Sequence, residues 1–481
     1  MSNHPHSSAD LLPASHPAKV RAGKQRLGWS LALLAFANLI YALDINIVFV
    51  ALPEIGRGLG FSGQSLQWVV SAYTVFCGGF LLLGGRAADL FGQRRMFIFA
   101  LVLYALSSLL GGLAWSPVAI IIARAIQGIG GALLFPATLS LINRLFEEGP
   151  RRNRALAVWG GAGASGLTLG SLLGGVLTNA FGWEAVFYVN VLLAGIAVLG
   201  AFFIIPADRS GRGGRGFDLP GALTVTGGAT LLVFVLVQGP EAGWGSAEIV
   251  VCAALAVLLL GAFALIEKRS PAPLMPFRLL RHRSLTLAMS ITFIYMGTFG
   301  ALPYFLTVLF QDVHGFTALQ TGLAFIVPSL AIATGTQLGE RLASRIHTRA
   351  TLLLGFGIGI VGTAIIPLGA YVGSSYLSIV PGIVVSGVGQ GIVWTAMWIA
   401  ASAGISQQEQ GIASGMASTA LNIGNAIGLA LLIAAANSGV RGLSGEKLIE
   451  AIASGGRTAF YLAAAGLVLG MLATLALPRK R

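Results

Sequence analysis

Tyr41-Ala42-Leu43-Asp44-Ile45-Asn46-Ile47-Val48-Phe49-Val50 is the stretch on which the fold turns. It lies inside an apolar run over residues 27–51 whose only charged side chain is Asp44. A helix rises about 1.5 Å per residue, so about 20 apolar residues cross the hydrocarbon core of a bilayer. No water is available there to satisfy free backbone groups, so such a run must be helical. Asp44 sits in the outer half of that run; a carboxylate at mid-membrane costs at least about 2.5–3.5 kcal/mol, so it faces a cavity unless it lies at the interface and reaches water. Asp44 is thus a candidate for a proton or ligand path.

Thirteen further runs of crossing length follow, at 67–84, 95–114, 117–142, 154–179, 184–205, 219–238, 247–266, 284–310, 319–338, 350–371, 376–400, 410–436 and 458–477. The 481 residues are 56% hydrophobic and 10% charged. A soluble domain carries about 25% charged residues, which this chain cannot match. The expectation is an all-α polytopic membrane protein with fourteen transmembrane helices. The 66 glycines suit it, because small residues let membrane helices approach closely.

Lys and Arg in the loops orient the chain. Alternate loops, with both termini, collect 25 of them, and the opposite loops hold only Arg57, Arg441, Lys447 and Arg457. Both termini are therefore expected in the cytoplasm. The net charge of +13 resides in short loops without a continuous basic face, which argues against nucleic acid as a partner. Residues 1–26 read as a disordered tail, and 479–481 as a basic one. Cys77 and Cys252 both lie in apolar runs, so no disulfide framework is available.

Arg124, in the fourth run, is the one base expected inside the membrane, at a depth like that of Asp44. Gly85-Arg86-Ala87-Ala88-Asp89-Leu90-Phe91-Gly92-Gln93-Arg94-Arg95 reads as a tight cytoplasmic turn. Glycine permits positive φ there, and Asp89 can pair with Arg or with a helix N-terminus. Gly161-Ala162-Gly163-Ala164-Ser165-Gly166 matches the dinucleotide-binding spacing, but no strand precedes it, so it reads as a glycine face for helix packing. No GxxxxGK[ST], HExxH or GxSxG occurs, which leaves no visible ATP site or catalytic set. Ala87–Arg94 resembles Leu342–Arg349, and Gly128–Gly131 resembles Gly387–Gln390, at offsets of 255 and 259 residues. Near-equal offsets predict two related halves, as in many secondary transporters. The halves would span 27–205 and 284–478, with an extra helix pair in a linker over 206–283.

At these residues the chain resembles the major facilitator superfamily, in its fourteen-helix drug:proton antiporter branch. Gly85–Arg95 is similar to that superfamily's loop signature between helices two and three. Arg124-Ala125-Ile126-Gln127-Gly128-Ile129-Gly130-Gly131 is similar to its fourth-helix signature, and Leu43–Pro53 to the first-helix signature of the branch. Gly166-Leu167-Thr168-Leu169-Gly170-Ser171-Leu172-Leu173-Gly174-Gly175 resembles the fifth-helix antiporter signature, with Ser171 where a proline is usual.

The resemblance implies two six-helix bundles rocking about a central cavity, with one extra helix pair. It implies a proton-coupled exporter of small hydrophobic or cationic compounds such as drugs, dyes or antibiotics, acting as a monomer in the bacterial inner membrane. No cofactor is implied, and the driving force is the proton gradient. Asp44 and Arg124 would couple proton to substrate. Gly85, Arg86, Asp89, Gly92, Arg94 and Arg95 would form a conformational latch. Gly166, Gly170, Gly174 and Gly175 would pack the fifth helix. A dedicated exporter of one endogenous metabolite and a non-transporting receptor or scaffold are the rival readings.

Overall fold

The computed structural model describes residues 17–478, apart from 63–64, 148–149, 209–217, 271–272, 274–276, 404, 406–409 and 441–442. Among the described residues the chain is helical throughout. The first six spans are α1 (Pro17–Leu59), α2 (Trp68–Phe91), α3 (Gln93–Gly112), α4 (Pro117–Leu145), α5 (Pro150–Phe181) and α6 (Ala185–Ile204). The extra pair is α7 (Leu219–Ala242) and α8 (Ala247–Arg269), followed by the short α9 (Phe277–Leu280). The second half opens with α10 (Arg283–Thr298) and α11 (Leu302–Val308), joined by a 3-10 turn and ending in a π-turn over Leu309–Val313. It continues through α12 (Ala318–Ala324), α13 (Ile326–Ile346), α14 (Thr348–Gly369), α15 (Tyr376–Ser402), α16 (Gln410–Ala436) and α17 (Glu446–Leu475).

Among the described residues, eleven helices are long and apolar enough to cross a membrane. Shorter apolar stretches at Ser65–Leu81, Leu169–Phe181 and Leu219–Leu232 belong to α2, α5 and α7, which are themselves 24, 32 and 24 residues long. Local signals set several starts. Ser116 caps α4 by accepting from the Ala119 N–H at 3.2 Å, with Pro117 just inside the helix. Thr317 and Gln320 form a reciprocal capping box on α12.

Two boundaries differ from expectation. α1 begins at Pro17, so residues 17–26 are helical where a disordered tail was expected. A proline at the first helical position is preorganised for the helix, and Lys and Arg are good helix formers. The turn expected over Gly85–Arg95 is confined to Gly92. α2 continues to Phe91, and the chain reverses at Gly92 with φ +99 before α3 starts at Gln93. Gly85 lies inside the helix, where a Cβ would meet only the Pro136 side chain, at 3.8 Å.

The internal repeat is a physical one. A Cβ on Gly166 or Gly170 of α5 would run into the backbone oxygens of Leu39 and Leu43 on α1. Gly424 and Gly428 of α16 meet the oxygens of Phe293 and Gly297 on α10 in the same way. Gly128 packs on the Tyr73 oxygen, and Gly387 packs on that of Pro328. Gly84 faces Leu133, and Gly339 faces Ile392. Equivalent residues of the paired contacts are separated by 254 to 259 residues, which brackets the sequence offsets. Even the turn repeats: His347, 255 residues after Gly92, has φ 68, the sole positive φ outside glycine among the described residues. The two halves are thus parallel copies about a pseudo-two-fold axis.

The two halves touch across their seam at the end away from the basic loops. There the Gln311 amide donates to the Val50 oxygen at 2.8 Å. A Cβ on Gly175 would fall 2.6 Å from the Ala318 oxygen, and one on Gly322 would fall 2.7 Å from that of Ser171. Midway, Asn425 donates to the Thr74 hydroxyl at 3.4 Å. Toward the basic end, Gly160 and Gly161 of α5 are exposed, with nothing within 4 Å of where a Cβ would stand.

Candidate functional site

Asp44 and Arg124 meet. Arg124 Nη1 lies 2.7 Å from Asp44 Oδ2, and the two side chains are 2% and 0% exposed. Five helices supply the surroundings. Gln127 of α4 donates to Asp44 Oδ1 at 2.9 Å, and Asn190 of α6 donates to the same oxygen at 2.7 Å. Gln127 also donates to the Ser108 hydroxyl on α3 at 2.8 Å, and its own carbonyl accepts from Arg124 Nη1 at 2.7 Å. On α2, the Val69 oxygen accepts from Arg124 Nε at 2.9 Å, and the Tyr73 ring lies 4.4 Å beneath the guanidinium.

Chain geometry explains the convergence. Gln127 follows Arg124 by three residues, which puts both on one face of α4. Glycines at 128, 130 and 131 let α2, α3 and α1 come close to that helix. A buried carboxylate and guanidinium are tolerable only when their remaining hydrogen-bonding positions are filled. Here three side chains serve the acid, and the base has a carbonyl, an amide oxygen and a ring face. The Tyr73 and Tyr104 side chains are both buried beside the pair.

Asp44 is closed off from solvent, within the first half. At the matching positions of the second half, 254 and 259 residues on, stand Thr298 and Ile383. Thr298 spends its hydroxyl on the Ile294 oxygen of its own helix at 2.7 Å. The charged network is therefore one-sided in a two-fold architecture.

The glycines singled out by sequence lie at helix contacts. Gly166, Gly170 and Gly174 line α5 against α1, the last with a Cβ site 2.8 Å from the Ile47 oxygen. Gly175 instead meets α12 of the other half.

At the basic end, sequence reading missed Asp208. Its carboxylate accepts from the backbone N–H of Arg94 at 3.0 Å and of Arg95 at 3.1 Å, so it caps the start of α3. It also pairs with Arg144 of α4 at 2.8 Å. Partial burial pushes the Asp208 carboxyl up, but the N–H groups of Arg94 and Arg95 and the Arg144 side chain outweigh that and hold it below its ordinary value. Arg94 donates to the Phe202 oxygen at 2.7 Å, and Arg144 donates to that of Pro206 at 3.0 Å. Asp208 thus occupies the N-terminus of α3. The side chains of Arg86 and Asp89 lie outside the described residues. The available signal was an isolated acid just after the sixth run, in an otherwise basic segment.

The family model of the Major Facilitator Superfamily matches residues 34–429. This chain belongs to the Major Facilitator Superfamily. Its likeness to relatives runs along nearly the whole chain. The puromycin resistance protein pur8 of Streptomyces alboniger is 38% identical over 411 residues, covering 85% of this chain and 81% of its own. The cephamycin export protein CmcT of Amycolatopsis lactamdurans is 37% identical over 425 residues, covering 87% and 86%. The lincomycin resistance protein of Streptomyces lincolnensis is 31% identical over 464 residues, covering 96% and 93%. Among solved structures, a bacterial homolog of the human lysosomal transporter Spinster, in an inward-facing and occupied conformation, superposes with a TM-score of 0.69 at 15% identity. It covers 96% of this chain and 97% of its own, and at that identity the likeness concerns the fold. As a member of this superfamily the chain is a membrane transporter, not an enzyme.

Proposed function

We propose that the chain is a proton-driven antiporter that exports small hydrophobic or cationic compounds, antibiotics among them, across the bacterial inner membrane. The observation that carries the proton half is the fully buried Asp44, held by Arg124, Gln127 and Asn190 in one half only. The relatives' names, for puromycin and lincomycin resistance and cephamycin export, support the substrate half.

Protonation of Asp44 removes the charge that Arg124 balances and so weakens the network joining α1, α4 and α6. Asp44 is fully buried, so the proton acts through helix packing, without direct contact between substrate and carboxylate. The Tyr73 ring on Arg124 stands between the pair and Tyr41. Both termini and the basic loops lie in the cytoplasm in this reading, which puts the contacts of Gln311, Gly175 and Gly322 across the seam at its outer end. Residues 27–205 and 284–478 then rock about the axis, with 206–283 as a linker carrying the extra pair. The Gly85–Arg95 segment, braced by Asp208, latches the outward-facing state. No cofactor enters, and one monomer suffices. One elementary charge moving inward across about 100 mV releases about 2.3 kcal/mol.

The test is efflux of a chemically diverse panel from a pump-deficient host, with and without a protonophore. Protonophore-insensitive uphill efflux overturns the coupling. Efflux of one compound alone points to a dedicated exporter, and efflux of none overturns export.

A further inference from the structure

A cavity of about 350 Å³ lies next to the bond between Gln311 and Val50, with Asp312 and Leu52 in its lining. That volume falls among those of sites for small organic ligands, about 300–1,000 Å³. Both halves build it. Leu52 and Leu66 come from the first, and Val308 of α11 and Ile452 of α17 come from the second.

Asp312 is the one charged side chain in that lining. It is exposed, and among the described residues it forms no ion pair. Arg57, exposed near the end of α1, acts on it electrostatically from beyond ion-pair distance. Asp44 differs on both counts, since Arg124 balances its charge and the pair is closed off from solvent. A carboxylate without an ion pair, set in a largely apolar wall, attracts cations and repels anions. Tyr304 adds an aromatic ring, a second kind of group that attracts cations. The leucine, valine and isoleucine side chains reward burial of a hydrocarbon body. A bare inorganic cation gains nothing from those walls, and a neutral hydrocarbon gains nothing from Asp312.

We propose that this cavity is a binding site for lipophilic ammonium compounds, with Asp312 as their counter-charge. Its place at the outer end of the seam, where an exported compound leaves, rests on the export reading, but its occupancy is tested by binding alone.

The full-length protein is placed in right-side-out vesicles in a Cys77→Ser, Cys252→Ser background, without a proton gradient. Ser62→Cys in the first half and Asn437→Cys in the second, both at lining positions, are separate reporters for an impermeant maleimide added outside. The probe is (1-naphthylmethyl)trimethylammonium, which is permanently charged and does not cross the membrane. Its controls, at fixed ionic strength, are neutral 1-naphthalenemethanol and tetramethylammonium, which lacks the apolar body. The probe is expected to slow labelling of both reporters saturably, at about two- to fivefold lower concentration than the alcohol. Asp312→Asn should erase that advantage, Asp312→Glu should keep it, and Arg57→Gln should leave it at least as large. Equal protection by either control, an advantage that survives Asp312→Asn or is lost in Asp312→Glu, protection of one reporter only, or no protection each overturn the site. Reporters that label only in inside-out vesicles overturn its outer placement. Protonophore-sensitive efflux by a protein that fails these tests would leave the export reading standing while the cation site fell.

Discussion

Gln311, in the π-turn that ends the first span of the second half, donates its side-chain amide to the backbone oxygen of Val50 on α1, 2.8 Å away and buried. This bond ties the two halves together at the end of the seam away from the basic loops. A π-turn adds a residue to the helix and often marks a functional point. Here it lies in the segment that brings Gln311 to the seam.

Gln311→Leu removes the bond and leaves the Val50 oxygen without its donor. A hydrogen bond of this kind contributes about 0.5–1.5 kcal/mol, or roughly two- to tenfold in an equilibrium. In a Cys77→Ser, Cys252→Ser background, a cysteine at Asn46 should react faster with an impermeant maleimide added outside, by about that factor. An unchanged labelling rate would mean that the outer seam is held by the helix contacts at Gly175 and Gly322.

Asp44→Asn should abolish proton-driven export and substrate-induced proton release from purified protein. It should also lower the melting temperature, because removing one partner of a buried ion pair costs about 3–5 kcal/mol. Asp44→Glu should keep some transport with an altered pH profile. An asparagine variant that still releases protons and pumps uphill would place the carrier elsewhere.

Arg124→Lys keeps the charge but not the fork. The guanidinium reaches Val69, Asp44 and Gln127 at 2.7 to 2.9 Å, and it stacks on Tyr73. An ammonium on a flexible stem cannot reproduce that set. Efflux should fall by tenfold or more, on the order of 1.4 kcal/mol, with insertion unchanged. Parent-like efflux would reduce Arg124 to a counter-charge.

Gly170→Ala places a methyl against the Leu43 backbone oxygen, and Gly428→Ala does so against Gly297. Backbone cannot move aside as a flexible side chain does, so both variants should lose folded protein on detergent size exclusion. Gly161→Ala, with open space around it, should express like the parent. Equal behaviour of all three would contradict the glycine seams.

Asp208→Asn and Gly92→Ala should both loosen the start of α3. Alanine at 92 is strained by φ +99 and meets the Asp208 carboxylate. The Asp208 carboxyl is held below its ordinary value, so its contribution is present above about pH 5 and is lost as pH falls through the folded-state value. The melting-temperature gap between parent and Asp208→Asn should therefore be constant near neutrality and narrow in acid. A gap that widens in acid would contradict the cap.

The sequence by itself determined the class, the helices, the family and the one-sided charge. Composition and run length act locally, and the bilayer forbids unpaired backbone, so apolar runs such as 27–51 could only be helices. Asp44 and Arg124 stood out because a charge in hydrocarbon needs a partner, and the structure makes each the other's. Tertiary structure alone decided what surrounds them. Gln127, Ser108 and Asn190 are ordinary polar residues on three helices, and nothing in their spacing announces that they meet one carboxylate. The same holds for Asp208, whose partners at Arg94, Arg95 and Arg144 are 64 to 114 residues away in the chain. Two short resemblances hinted at a repeat, but they covered the loop and the fourth helix only. The cavity beside Gln311 depends on helix packing, since it joins Leu52 and Leu66 to Asp312 from the other half of the chain, and hydropathy is blind to that meeting.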